Sequence, residues 1–240
     1  MNIAVVLASG VGKRMRGGKN KVLLELGGKP LIFYALDNFV QCDDIDEIVI
    51  VAREEEIELM QDLVNWFDIK KIAHIIPGGD ERQYSAYNGV QCICEAYDHE
   101  DIVVLFHNGA NPFVESEEIE RVIIAAREHG AAVVGHKTKD TVRKVSDKGF
   151  SEGVLNRNEL WNMQTPQAIK LEIARTAFEQ AKENEFLGTD DVSLVENIGG
   201  DVVIVEASDN NFKVTTPIDL VLAETILKNK EETKRNEESE

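Results

Sequence analysis

The stretch Ile3-Ala4-Val5-Val6-Leu7-Ala8-Ser9-Gly10-Val11-Gly12-Lys13-Arg14-Met15 decides how this chain is read. Its first five residues are apolar and rich in β-branched side chains, the length and composition of a strand buried on both faces of a parallel sheet. The glycine-and-cation loop that follows therefore opens at a strand's carboxyl end, where open α/β sheets bind ligands. Gly10 and Gly12 let backbone N–H groups approach phosphate oxygens with no Cβ in the way. Lys13, Arg14 and the later Lys21 add the positive charge that a triphosphate and its transition state require. Two familiar nucleotide loops are excluded. The P-loop pattern fails because no Ser or Thr follows Gly12-Lys13, and the dinucleotide pattern fails because its third glycine position is Met15. Taken alone, the loop is also compatible with a plain strand-to-helix turn carrying solvated cations.

Working outward, apolar runs at 3–7, 47–52, 71–76, 102–106, 131–135 and 202–206 read as strands. Helical patterns fall between and after them at 30–40, 54–67, 82–97, 115–129, 170–184 and 217–227, several opening on proline or acidic residues. This alternation predicts an α/β fold, a three-layer α/β/α sandwich around a mostly parallel, Rossmann-like sheet, with residues 1–227 as one domain. One region breaks the pattern. Residues 137–164 are polar, with short β-like pieces at 141–145 and 153–155, and predict an arm inserted in the sheet domain. Its open pairing edges are most simply covered by a second subunit, so a homodimer through this arm is expected. Residues 228–240 lack apolar side chains and read as a frayed, charged tail.

Composition sets the limits on function. The chain has 240 residues, 43% of them hydrophobic, enough for a substantial core. With 26 Lys plus Arg against 44 Asp plus Glu, the net charge of −18 repels nucleic-acid backbones, so no nucleic-acid partner is expected. A cationic loop in so acidic a chain is a local exception that points to an anionic ligand. No apolar stretch approaches the ~20 residues of a membrane span, and Met1-Asn2 leads straight into a strand, so no membrane partner and a cytoplasmic location are expected. Cys42, Cys92 and Cys94 lack zinc spacing and read as buried thiols.

Five further segments carry chemistry. Gly78-Gly79-Asp80-Glu81-Arg82, leading to Ser85, offers backbone groups to a base edge, although Asp80 also suits a helix cap. His107-Asn108-Gly109-Ala110-Asn111-Pro112 follows a strand, where such sheets often place a metal-binding acid. Asp140-Thr141-Val142-Arg143, then Arg157 with Gln164-Thr165-Pro166-Gln167, and finally Asp209-Asn210-Asn211-Phe212-Lys213-Val214-Thr215 complete the set. Asp190 and Asp191 read as a helix cap and first-turn acid, and His107 as structural.

In this order, with Lys21, Leu23, Gly28-Lys29-Pro30 and Thr189-Asp190-Asp191, these motifs resemble the methylerythritol-phosphate cytidylyltransferase family and its relatives, the ribitol-phosphate cytidylyltransferases. The resemblance runs from the first strand to about Leu227. It implies attack by a polyol phosphate, such as 2-C-methyl-D-erythritol 4-phosphate or ribitol 5-phosphate, on the α-phosphorus of CTP, giving a CDP-alcohol and pyrophosphate. Arg14, Lys21 and Lys213 are then the expected catalytic cations. Ala8, Ser9, Gly10, Gly12, Lys13, Gly79, Asp80 and Ser85 are expected to bind the nucleotide, and Thr141, Arg157, Thr165 and Lys213 the acceptor. The resemblance further implies Mg2+, with Asp209 as carboxylate ligand.

The chain departs from that family where it usually reads His-Asp-x-x-Arg-Pro. Asn108 keeps an amide oxygen for magnesium but not the charge of a carboxylate, and Asn111 lacks the guanidinium of a phosphate clamp. Asn20 stands where the family has proline before Lys21, a change expected to loosen the loop. The alternatives are a nucleotidyltransferase using another base or a sugar 1-phosphate, and a catalytically silent CTP-binding homologue.

Overall fold

In the computed structural model, which describes residues 1–10, 20–98 and 101–237, the opening apolar run is strand β1 (Asn2–Leu7), buried throughout. Chain order then brings the short hairpin β2 (Glu25–Leu26) and β3 (Lys29–Pro30), helix α1 (Leu31–Gln41), β4 (Glu47–Ala52), α2 (Ile57–Trp66) and β5 (Ile72–Pro77). These are followed by α3 (Arg82–Ala96), β6 (Val103–Asn108), α4 (Ser116–His129), β7 (Ala131–Lys137), and the hairpin strands β8 (Arg143–Val145) and β9 (Ser151–Val154). Last come β10 (Trp161–Lys170), α5 (Leu171–Glu183), α6 (Val192–Asn197), β11 (Val203–Glu206) and α7 (Pro217–Glu237).

The main sheet has seven strands in the order β11-β7-β10-β6-β1-β4-β5. β1 lies parallel to β4 and β6, β4 to β5, and β11 to β7, while β10 is antiparallel to both its neighbours. Side chains alternate across each strand, so β1 feeds two cores. Ala4 and Val6 face α1, α2 and α4, whereas Ile3, Val5 and Leu7 face α3, α5 and α6. The predicted three-layer sandwich is what forms. From β1 the chain builds β4 and β5 on one side, then returns to lay β6 on the other. Loops leaving β1 and β6 therefore diverge at their carboxyl ends and open a crevice there.

The structure departs from the sequence reading at three places. Residues 161–164, read as the end of the arm, begin β10, which runs to Lys170 in the middle of the sheet. A proline denies a central strand one backbone donor and argues against assigning one. Here the register shifts between Met163 and Gln167, and Pro166 sits inside that irregularity. The helix start that Asp190 and Asp191 mark, absent from the helical patterns because six residues are too few to show periodicity, forms as the short helix α6 from Val192. Finally α7 continues to Glu237, beyond the Leu227 limit, because Lys, Glu and Arg propagate a helix already nucleated by its packed first turns.

Candidate functional site

The crevice is a cleft of about 740 Å³ at the carboxyl ends of β1, β4, β5 and β6. Ser9 and Gly10, Lys21, Arg53, the segment 78–82, Asn108 and Lys213 contribute to its walls. Gly12, Lys13 and Arg14 lie outside the described residues.

Both ends of the opening loop are anchored by one chain of contacts. Arg53, just after β4, donates from Nε to the Ser9 carbonyl at 3.3 Å and from Nη2 to the Gly10 carbonyl at 3.1 Å. The same guanidinium lies 3.6 Å from Glu56, whose Oε2 accepts from Asn20 Nδ2 at 2.6 Å. Asn20 also donates to the Ala8 carbonyl at 2.6 Å, and its Oδ1 accepts from the Val22 amide, capping the single 3₁₀ turn Lys21–Leu23. The loop that Asn20 is expected to loosen lies outside the described residues, but Asn20 itself is firmly held. Its φ of −61° is the value proline would impose, and its side chain adds bonds that proline lacks. Lys21, on that turn, reaches the Val214 carbonyl at 3.4 Å and so meets the segment carrying Lys213.

On the opposite wall, Gly78 and Gly79 follow β5. A Cβ on Gly78 would stand 2.6 Å from the Ser9 Cβ and 2.8 Å from the Ser85 Oγ, so only glycine lets these loops close together. Ser85 Oγ accepts from the Gly79 amide at 3.1 Å and lies 2.9 Å from Ser9 Oγ. Asp80 faces the cleft and makes no cap, since helix α3 begins after Glu81 without a side-chain cap bond. Ala8 is fully buried. Its amide is bonded to the Val51 carbonyl and its own carbonyl takes the Asn20 amide, which spends its backbone groups on the sheet and loop.

At the floor, Asn108 Oδ1 accepts from two cations, Arg82 Nε and Lys213 Nζ, each at 3.2 Å. The Asn108 amide and its Nδ2 both donate to Thr165 Oγ1, at 3.2 and 3.4 Å. Arg82 in turn grips the buried Asp191 with two bonds of 2.8 and 2.6 Å. Burial works to lower the Arg82 pKa, but the Asp191 carboxylate outweighs it and holds the guanidinium charged. His107 is fully buried, 2.9 Å from the Asn111 carbonyl and edge-on to Phe39.

Comparison with known proteins follows from this geometry. The family profile of 2-C-methyl-D-erythritol 4-phosphate cytidylyltransferase matches residues 2–229. The chain belongs to this family. The member from Geobacillus kaustophilus is 44% identical over 224 residues, 93% of this chain and 96% of that one. The member from Clostridium acetobutylicum is 41% identical over 229 residues, 95% of this chain and 98% of that one. Among solved structures, 4-diphosphocytidyl-2C-methyl-D-erythritol synthase from Anaerococcus prevotii superposes with a TM-score of 0.82 at 30% identity. That match covers 95% of this chain and 96% of the other. The Thermus thermophilus cytidylyltransferase gives 0.74 at 29% identity, covering 93% and 98%.

Against the family pattern, the cleft gathers Ser9, Gly10, Lys21, Gly79, Asp80, Ser85, Asn108 and Lys213, with Thr165 just beneath its floor. It does not gather four of the residues expected from sequence, of which Ala8 is buried behind the wall as described above. Thr141 and Arg157 are exposed on the arm around β8 and β9, and Asp209 is exposed and paired with Lys139 at 2.5 Å. That bond and the nearby ammonium hold the Asp209 carboxyl below its usual range. The two residues expected to hold magnesium therefore do not fit it. Asp209 is off the cleft wall and Asn108 offers a neutral oxygen already shared by two cations. Among the described residues, no cluster of three His, Cys, Asp or Glu is placed to hold a metal. Nor is Asn111 a vacant clamp position. It is fully buried, donating to Asn211 Oδ1 and Gln164 Oε1 at 3.4 Å. Sequence reasoning missed Arg53 and the Arg82–Asp191 pair, the first because nothing local to Arg53 marks it as a loop anchor.

Proposed function

We propose that this protein transfers the cytidylyl group of CTP to the phosphate of 2-C-methyl-D-erythritol 4-phosphate, releasing pyrophosphate. The observation that carries the reading is the meeting of Lys21 and Lys213 in one cleft, through the Lys21 bond to Val214, opposite the Gly78 to Ser85 wall. An acceptor phosphate is already an anionic nucleophile, so no general base is required, and positioning with charge neutralisation supplies the catalysis. Lys21 sits at the mouth of the glycine loop, suited to the leaving pyrophosphate. Lys213, steered by Asn108, is suited to the two reacting phosphates. Gly79, Asp80 and Ser85 present a polar edge to the cytosine. Magnesium enters this reading as the counter-ion that CTP carries, with no described residue assigned to it.

The arm supports a homodimer in the same reading. Val145, Phe150, Val154 and Leu155 are exposed on it, beside Thr141 and Arg157, so a second copy would cover the apolar surface and bring those two polar residues to its partner. Among the described residues, no helix is long and apolar enough to cross a membrane.

The test is pyrophosphate release across the four nucleoside triphosphates, each with 2-C-methyl-D-erythritol 4-phosphate, ribitol 5-phosphate and a sugar 1-phosphate. Turnover is expected with CTP and the first acceptor. CTP binding without turnover on any acceptor would leave a silent homologue. In a companion measurement, Asn108→Asp is expected to leave the half-saturating magnesium concentration unchanged, because Arg82 and Lys213 already hold the oxygen at this position. A fall of about tenfold, the scale on which single changes around a metal alter its affinity, would give position 108 a metal role.

A further inference from the structure

Two motifs have no part in the chemistry so far, Arg82 of the double-glycine segment and Asp191 after Thr189. The structure joins them. Asp191 is almost fully buried, and both its oxygens accept from one guanidinium, the planar two-bond grip that only arginine offers a carboxylate. Asp191 is itself fixed from the sheet, because Gln167 Oε1 accepts from its amide at 2.8 Å and from Val192 at 3.1 Å. The Gln167 Nε2 donates to Asp190 at 2.9 Å, and Asp190 rather than Asp191 caps α6 through Ser193 at 3.0 Å. Freed from capping, the Asp191 carboxylate orients Arg82, whose remaining bond runs from Nε to Asn108 Oδ1.

That bond decides which way the Asn108 amide faces. With Arg82 Nε and Lys213 Nζ on one side and Thr165 Oγ1 on the other, only the orientation with oxygen toward the cations satisfies every donor. Lys213 then has a fixed acceptor at the cleft floor. We propose that Arg82 and Asp191 are positioning residues that act through Asn108 to hold Lys213 against the anionic part of the substrate. The inference rests on the cleft being a phosphate site, as in the function proposed above.

The experiment reads binding of inorganic pyrophosphate by calorimetry, which depends on neither the base nor the polyol and stands in for the diphosphate that the two reacting phosphates form at Lys213, and transfer kinetics beside it. Lys213→Ala is expected to weaken pyrophosphate and lower kcat. Asp191→Asn is expected to lower kcat about 100-fold, the cost of an ångström-scale misplacement, with CTP affinity within about threefold. Combined with Lys213→Ala it should cost nothing more, since both act through one ammonium. Because removing one partner of a buried pair also destabilises, the double variant Arg82→Met, Asp191→Leu supplies the second arm: apolar replacement restores thermal stability to such pairs. Restored stability with pyrophosphate binding still lost supports positioning. Restored stability with restored binding, or additive losses with Lys213→Ala, overturns it. If the wild type binds no pyrophosphate, the phosphate-site reading itself fails, and that outcome is distinct from a wild type that binds while Asp191→Asn binds equally well.

Discussion

Lys21→Ala is expected to lower the transfer rate by about a hundred- to a thousandfold, while CTP affinity changes only a few-fold. The magnitude is that of removing one preorganised donor from developing negative charge, about 3–4 kcal/mol of transition-state stabilisation. Position argues for the transition state rather than the ground state. Lys21 lies on a capped 3₁₀ turn whose preceding residue, Asn20, is buried and tied to both Ala8 and Glu56. Its ammonium is held toward the Val214 carbonyl on the wall of the cleft, the position that the proposed function gives to the leaving group. The opposite wall, built on Gly79 and Ser85 and proposed to meet the base, is untouched by the substitution. Single-turnover transfer and equilibrium CTP binding decide the matter. A proportionate loss in both would reduce Lys21 to a ground-state contact.

The parts of this protein that were legible in its sequence are those encoded by local pattern. Strand β4 falls at 47–52 as read, and β1, β6 and β7 differ only at their ends, because uninterrupted branched apolar runs have few other solutions. The glycines at 78 and 79 were legible because tight approach demands them. What stayed hidden depends on partners far apart in the chain. Arg82 and Asp191 are 109 positions apart, so although Asp190 reads from sequence as the cap it is, nothing near Asp191 marks it as more than a first-turn acid. Arg53 and Asn20 anchor the glycine loop across separations that no motif records. A sequence gives residue type without depth, so Asn111 reads there as a phosphate clamp missing its guanidinium. Burial turns it into one amide of an interior set with Asn211 and the buried Glu118, whose carboxylate accepts from Asn211 at 3.0 Å.

Acid is expected to destabilise the fold by about 3 kcal/mol between pH 6.5 and pH 4 through His107 alone. Burial pushes its pKa down to about 4, with Lys213 and Arg82 adding repulsion and the Asn111 and Thr165 carbonyls opposing the fall. In the unfolded chain the ring titrates near its ordinary value of about 6.5. Below that value the unfolded state takes up a proton that the folded state refuses. The stabilisation is therefore complete above about pH 6.5 and is lost as pH falls toward 4, at about 1.4 kcal/mol per unit of pH. Glu118 works in the other direction, since burial raises its carboxyl and its protonation relieves the folded state in acid. The comparison that isolates the histidine is urea unfolding of the wild type and His107→Gln at pH 7, 5.5 and 4.5. The variant should be less stable at pH 7 and should lose much less on acidification. A wild type and variant with parallel pH profiles would show that His107 does not titrate in this window. Because Asn108 follows His107 directly on β6, the same protonation should disturb the floor that holds Lys213 before it unfolds the outer strands.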